Sequence, residues 1–147
     1  MLRVALHQLD EELPVPTYAQ PGDAGADLLS RVDVVLPAAG GRLAVPTGVA
    51  VAIPEGYAGL VLPRSGLALR HGVTCLNTPG LIDSGYRGEL QVVLINHDPH
   101  HDYSVHRGDR IAQLVIVEVA HAAFELVSKE VLGDSERGSG GFGSSGA

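Results

Sequence analysis

The 147-residue sequence has a single cysteine, few basic residues and no long apolar run, and each shortage excludes a class of protein. Cys75 cannot form an intramolecular disulfide, which fits a reducing compartment. Because it lies in the apolar run VTCL without a neighbouring base, we expect it to pack in the core rather than act as a nucleophile. Ten basic residues against seventeen acidic ones give a net charge of −7, which argues against non-specific nucleic-acid binding.

No segment has the length and composition of a membrane span or a signal sequence. The N-terminal stretch MLRVALHQLD is too short and too polar for a signal. We therefore expect a soluble, cytoplasmic protein with neither membrane nor nucleic acid as a partner. Lys129 is the only lysine, and the bias to arginine fits either high genomic GC content or bidentate phosphate binding at particular positions.

Nineteen glycines and nine prolines separate short runs rich in Val, Leu and Ile. These runs, among them VAVAI, QVVLIN, AQLVIVEV and FELV, have strand length, and none keeps a helical period. The pattern predicts an all-β sandwich, barrel or jelly roll. One short helix is expected in SGLALRHG, with Ser65 as its cap, Arg70 near its end and Gly72 terminating it. The long apolar strands also suggest an oligomer that covers part of their faces.

From Gly133 onward the sequence GDSERGSGGFGSSGA loses all apolar periodicity. Its composition is that of a disordered tail. Arg137 and Phe142 are unexpected there, since a solvated tail has no need of an aromatic ring.

Three segments before and after the predicted helix hold charged side chains beside turns. PGDAGADLLS is an ordinary Asp-Gly turn or a place where one of two carboxylates, Asp23 or Asp27, meets a hydrated Mg²⁺. PRSGLA is a helix start with a surface arginine or a phosphate site built from backbone N–H groups, Ser65 and Arg64. RGDRIAQL holds Asp109 and Arg110, which suggest a surface ion pair, and by itself this segment is uninformative.

Two further segments differ in how much chemistry they imply. HDPHHD, residues 97–102, contains metal-ligand types, but a solvated turn is favoured and we do not nominate it as a site. NTPGLIDSGYRGEL carries more functional side chains than a hairpin needs. Asp83 beside a strand end would be partly shielded and could act as a general base. Tyr86 offers a flat face to a sugar or base, and Asn77 a donor and an acceptor for a pyrimidine edge.

Together AGADL, PRSGLA, NTPGLIDSGYRGEL, RGDRIAQL and RGSGGFGSSG resemble the five motifs of the trimeric dUTPase (dUTP pyrophosphatase) family, in that family's order and spacing. The resemblance implies a distorted jelly-roll subunit over residues 1–132 and a C-terminal arm over residues 133–147. It implies a homotrimer with active sites between subunits, and Mg²⁺-assisted hydrolysis of dUTP to dUMP and pyrophosphate.

The resemblance also implies roles for individual residues. Asp83 would activate the water that attacks the α-phosphorus, Tyr86 would exclude a ribose 2′-hydroxyl, and Asp27 would hold the metal through water. Arg87 and the Asp109–Arg110 pair would be structural, and no role is assigned to Gln91. The residues expected to bind substrate are Arg64, Ser65, Gly66, Asn77, Gly80, Leu81, Ile82, Asp83, Tyr86, Gln113, Arg137, Phe142, Gly143, Ser144 and Ser145.

Two alternatives stay open on the sequence. A dCTP deaminase or bifunctional relative would share the fold, although deaminases are expected to use a glutamate base rather than Asp83. A non-catalytic nucleotide-binding module would share it too, although binding alone does not need a water-activating carboxylate.

Overall fold

A computed structural model of the chain describes residues 1–140. Two four-stranded antiparallel sheets, with strand orders β1-β4-β8-β6 and β2-β10-β5-β7, are joined by a two-stranded ribbon of β3 and β9. The strands are β1 (Ala5–Gln8), β2 (Ala26–Leu29), β3 (Val34–Leu36), β4 (Arg42–Ala52), β5 (Tyr57–Leu62), β6 (Val73–Cys75), β7 (Gly80–Ile82), β8 (Glu89–Asn96), β9 (Tyr103–Val105) and β10 (Arg110–Glu118). The helices are α1 (Ser65–His71) and α2 (Lys129–Leu132). The predicted β fold is confirmed.

The core lies between the two sheets, where alternate residues of each strand point inward. Leu90, Val92 and Leu94 of β8 are at most 1% exposed, as the two-residue period of a strand requires. They contact side chains from the other sheet, such as Leu28 and Ile111, in one continuous apolar cluster. This cluster holds the loops of the two sheets at fixed positions.

Asn96, at the end of β8, is a fully buried polar residue with all its side-chain atoms paired. Its amide nitrogen donates to the carbonyl oxygens of Leu36 and His101, and its amide oxygen accepts from the N–H of Asp98. Asp98 in turn accepts hydrogen bonds from the backbone N–H groups of His100 and His101. The histidine-rich loop is therefore held to the end of β8 by hydrogen bonds between the Asn96 side chain and backbone groups of the loop.

Two sequence-based expectations about local structure were wrong. Ser65 does not cap α1: it is the first helical residue, and Arg64 occupies the cap position without a side-chain hydrogen bond. The end at Gly72, in the left-handed conformation, is confirmed. The run FELV forms no strand, because no strand among residues 1–140 pairs with it and Phe124 is 98% exposed.

The chain also has a second short helix, α2, where only one helix was expected. The missed signal was Ser128 directly before the helix with Gly133 directly after it, a typical start and stop pair. Within residues 1–140, neither helix has the length and apolar character needed to cross a membrane.

Candidate active site

The AGADL and RGDRIAQL segments meet on neighbouring strands of the second sheet. Gln113 of β10 lies opposite Asp27 of β2 on one side and Leu62 of β5 on the other. Its amide nitrogen donates to the carbonyl oxygen of Pro63 at 3.0 Å. Gly25 leaves the space that this side chain fills, since a Cβ there would lie 3.0 Å from the Gln113 Cδ and closer still to its amide oxygen. The glycine of AGADL thus lets Gln113 lie across the end of β2.

Two arginines converge on the Asp27 carboxylate. The Nε of Arg64 lies 3.6 Å from one carboxylate oxygen, and a terminal nitrogen of Arg110 lies 3.5 Å from the other. Arg64 also donates to the carbonyl oxygen of Arg110 at 3.3 Å. The Asp27 side chain is only 20% exposed, whereas the Arg110 side chain is 56% exposed. Two partly exposed guanidinium groups therefore flank a single, more enclosed carboxylate.

These residues line a cavity of about 520 Å³, which we call the arginine cavity. Its charged and polar walls are formed by Asp23, Asp27, Arg64, Ser65, Gly66, Arg70, Arg110 and Gln113. Five residues predicted for phosphate or metal binding thus lie in one place. With three arginines, two aspartates and the start of α1, the cavity suits a multiply charged anion accompanied by a cation.

Arg110 was assigned the wrong partner at the sequence level. It faces Asp27 in the arginine cavity, whereas the Asp109 carboxylate accepts a hydrogen bond from the backbone N–H of His106. Adjacent residues at a strand start point to opposite sides, so Asp109 and Arg110 cannot easily form a pair. Arg70, which also lines the cavity, was missed as well.

The NTPGLIDSGYRGEL segment forms the opposite edge of the same sheet. β7 pairs with β5, and the Asn77 side chain packs beside Gly80, close to where a Cβ would stand. The Arg87 guanidinium donates to the carbonyl oxygens of Ser84 and Tyr86 at 2.6 and 2.7 Å. The expectation that Arg87 braces this turn is confirmed.

A second cavity of about 420 Å³, the hairpin cavity, is lined by Leu81, Ile82, Asp83, Tyr86 and Gln91. The presence of Gln91 there was missed. Its signal was the alternation of β8, which turns Gln91 outward while its neighbours Leu90 and Val92 point into the core. Asp83 was expected to be partly shielded, yet it is exposed in the single chain, because β7 is an edge strand.

The two cavities are far apart within one chain. β2 and β7 are the edge strands of their sheet, so they lie about 14 Å apart across two intervening strands. Asp27 is level with Leu62 of β5, whereas Ile82, next to Asp83, is level with Gly59. Asp83 lies one residue further along, so its offset from Asp27 is about four residues, or roughly 13 Å along the strands. The two carboxylates are therefore separated by on the order of 20 Å.

The remaining predicted residues belong to the C-terminal segment. Arg137 is exposed, and its Nε donates to the carbonyl oxygen of Gly140 at 2.9 Å. It lines neither the arginine cavity nor the hairpin cavity. The predicted contacts of Phe142, Gly143, Ser144 and Ser145 lie outside the described residues. Within residues 1–140, no group of three or more His, Cys, Asp or Glu side chains is placed to hold a metal ion without other ligands.

Comparison with known proteins identifies the family. The family model for dUTPase matches residues 11–146, which include all five motif segments. The chain belongs to the dUTPase family. A deoxyuridine 5′-triphosphate nucleotidohydrolase of Thermobifida fusca (strain YX) is 57% identical over 145 residues, covering 99% of this chain and 79% of that protein. One of Dictyoglomus turgidum is 51% identical over 149 residues and covers 99% of both chains.

Solved structures of phage dUTPases have the same fold. A dUTPase of Staphylococcus bacteriophage 80alpha with dUPNHPP superposes with a TM-score of 0.87 at 31% identity, over all of both chains. A dUTPase variant from phage phi11 of S. aureus, whose structure reveals the coordination of a structural Mg(II) ion, gives a TM-score of 0.78 at 28% identity. That match covers 87% of this chain and 98% of the phage chain.

Proposed function

We propose that the chain hydrolyses dUTP to dUMP and pyrophosphate, in sites that form between the subunits of a homotrimer. The observation that supports this proposal most strongly is that one chain of the dUTPase family has both an arginine-lined cavity and, in a second cavity, an exposed aspartate beside a tyrosine. Removal of dUTP keeps uracil out of DNA, and the product dUMP is the starting material for thymidylate synthesis. The cytoplasm is the compartment in which that activity is needed.

The arginine cavity takes the triphosphate. A nucleoside triphosphate carries about four negative charges, and bidentate guanidinium contacts offset them strongly in a partly enclosed site. Arg64 and Arg110 share Asp27 as a common partner at 3.5–3.6 Å, so both can turn to phosphate oxygens while staying beside the carboxylate. Ser65 and the backbone of Gly66 add donors at the start of α1, and Gln113 is fixed alongside them by Pro63.

The same cavity fits Mg²⁺ that is bound together with phosphate. Magnesium in nucleotide sites takes one or two carboxylates, with phosphate oxygens and water completing its ligands. Asp27 lies in the cavity wall 3.5–3.6 Å from two guanidinium groups, and once these turn to phosphate oxygens its carboxylate can face a cation that is bound with the phosphate. Asp27 would hold the ion through its water shell. When bound, Mg²⁺ offsets phosphate charge and restrains the α-phosphate.

The hairpin cavity binds the nucleoside and supplies the general base. Asp83 accepts a proton from water as the water attacks the α-phosphorus, and pyrophosphate leaves on the opposite side. Asn77 and the backbone of Gly80, Leu81 and Ile82 bind uracil and the sugar. Tyr86 packs under the deoxyribose, so a ribose 2′-hydroxyl has no room.

The separation of the two cavities supports a site shared between copies. The α-phosphate must lie near both Asp83 and the arginine cavity, yet these are on the order of 20 Å apart in one chain. A second copy that brings its hairpin to the first copy's arginine cavity closes this gap. In a cyclic homotrimer the same heterologous contact repeats three times and closes.

A segment after the last strand supports the same assembly. Between residues 119 and 132, Phe124, Leu126, Val131 and Leu132 are 72–100% exposed. Apolar surface of this extent is costly to leave in water and is typical of a contact with another chain. Beyond it, Arg137, Phe142, Gly143, Ser144 and Ser145 form the proposed arm, which closes over a site once substrate is bound.

A pyrophosphate-release assay with dUTP, UTP, dTTP and dCTP, with and without Mg²⁺, tests the activity. Of the four nucleotides, we expect only dUTP to be hydrolysed rapidly. Asp83→Asn should keep most of the affinity for dUTP and lose turnover by several orders of magnitude. Release of ammonia from dCTP would replace this assignment with a deaminase, and normal turnover by Asp83→Asn would remove Asp83 as the base.

A further inference from the structure

The ring of Tyr86 folds back over the backbone of Gly88. A Cβ built on Gly88 would stand 2.7 Å from Cζ of Tyr86 and 3.1 Å from its Cε2, and closer still to its hydroxyl oxygen. Contacts below 3.0 Å are almost never seen for real Cβ atoms. The absence of a side chain at residue 88 is therefore what allows the Tyr86 ring to lie where it does.

The far end of the ring is held by the residue that follows Gly88. The Tyr86 hydroxyl donates a hydrogen bond to the backbone carbonyl oxygen of Glu89 at 3.0 Å. The Glu89 carboxylate accepts from the N–H of Gly48 at 2.8 Å and lies 3.4 Å from Arg31. Since Glu89 is tied to β4 and to the turn after β2, the acceptor of the tyrosine hydroxyl cannot move freely.

Backbone conformation does not explain a glycine at residue 88. Its φ lies outside the left-handed range that favours glycine, so alanine could adopt the same backbone. The obstacle to a Cβ comes from Tyr86 alone among the three nearest atoms. Gly85, in the same turn, differs: a Cβ there would meet nothing within 4 Å.

We propose that Gly88 is a positioning residue that sets the place of the Tyr86 ring and, through it, the preference for deoxyribose over ribose. The second part rests on the proposed function, in which Tyr86 packs under the sugar. A methyl group at residue 88 overlaps the ring, so the ring must swing away and break its hydrogen bond to Glu89. The displaced ring no longer fills the space that a 2′-hydroxyl would need.

The test is a double-mutant cycle on the ratio of kcat/KM for dUTP to that for UTP. Gly88→Ala should lower this ratio about tenfold or more when Tyr86 is present, since a misplacement near 1 Å can cost up to about a hundredfold. In a Tyr86→Ala background the same substitution should change the ratio less than about twofold, because no ring is left to displace. Gly85→Ala is the matched control, with no expected effect in either background.

A loss of equal size in both backgrounds would overturn the proposal, because the methyl group would then act on the backbone and not on the ring. If Gly88→Ala does not fold, the double variant should still fold, since its shortened residue 86 no longer overlaps the new methyl. An unfolded double variant would also overturn it.

A spectroscopic measurement separates ring position from catalysis. The chain has four tyrosines, so protein labelled with 3-fluorotyrosine should give four ¹⁹F resonances, of which Tyr86→Phe removes one. That resonance should shift in Gly88→Ala and stay unchanged in Gly85→Ala, and an unshifted resonance in Gly88→Ala refutes the positioning role. If the wild type does not hydrolyse dUTP, or Tyr86→Ala keeps the full sugar preference, the proposed function fails. The ¹⁹F shift then still decides whether Gly88 sets the ring.

Discussion

Two inactive variants of this chain should restore activity when their subunits are mixed. Arg64→Ala damages the arginine cavity and leaves the hairpin cavity intact, whereas Asp83→Asn does the reverse. Loss of one contact to developing charge costs about a hundredfold to a thousandfold in turnover, and loss of a general base costs about a hundredfold to ten-thousandfold, so each variant by itself is nearly inactive. In the proposed trimer, each site takes its arginine cavity and its hairpin from different copies, which bridges the roughly 20 Å between the two cavities of one chain.

The activity recovered in the mixture follows from the fraction of sites that combine two intact halves. In trimers assembled at random from equal amounts, about half the arginine cavities and about half the hairpins are intact, so about one quarter of the sites combine two intact halves. Activity should follow the product of the two fractions and be largest at equal amounts. Subunits can be exchanged by refolding from urea together, and pyrophosphate release from dUTP gives the rate.

The control is the same pair of variants refolded separately and then combined, which should stay nearly inactive. If the activity of the jointly refolded sample stays at the average of the two parent variants at every mixing ratio, the arginine cavity and the hairpin cavity of a site do not come from different subunits. A light-scattering mass of one chain would contradict the assembly directly.

Three further outcomes follow from buried or charged groups away from the site. Asn96→Ala removes three hydrogen bonds made by a buried side chain, so urea unfolding at constant protein concentration should show a loss of about 3 kcal/mol. A loss below about 1 kcal/mol would mean that water replaces the amide. The hydrogen bond from Arg107 lowers the pKa of Asp10 below its ordinary 3.8, so this carboxylate stabilises the fold above that pH, and the contribution disappears as the pH falls through the lowered pKa. Asp10→Asn should therefore reduce stability at pH 7 and reduce it progressively less as the pH falls below 3.8, and an equal loss at every pH would contradict the ion pair. Burial raises the pKa of the Cys75 thiol to about 11, so iodoacetamide at pH 8 should label it only in unfolded protein; rapid labelling of the native protein would place it at the surface.

Much of the arginine cavity could be predicted from local sequence. AGADL, PRSGLA and RGDRIAQL each place a charged or amide side chain near a strand or helix start, the kind of position at which backbone and side-chain groups can bind a ligand together. The family resemblance related them to one function, and the structure placed Asp27, Arg64 and Gln113 together. The partner of Arg110 could not be predicted, because the ion pair depends on β2 lying beside β10, and these strands are far apart in sequence.

The hairpin shows a different limit. The sequence marks Asp83 and Tyr86 as unusual, but shielding depends on what covers an edge strand, and within residues 1–140 no strand pairs with the outer edge of β7. Gln91 was set aside at the sequence level, although strand alternation turns it toward the same cavity. A residue's face follows from periodicity, whereas its neighbours follow from which strands pair.

The sequence by itself determined the β class, the family and most of the side chains proposed to carry the chemistry, because strand periodicity, turn residues and short motifs are local properties. Only the tertiary structure decided that these side chains fall into two cavities at opposite edges of one sheet, and that Tyr86 lies on Gly88. Strand order and close side-chain packing arise from contacts between distant residues, which no local pattern specifies.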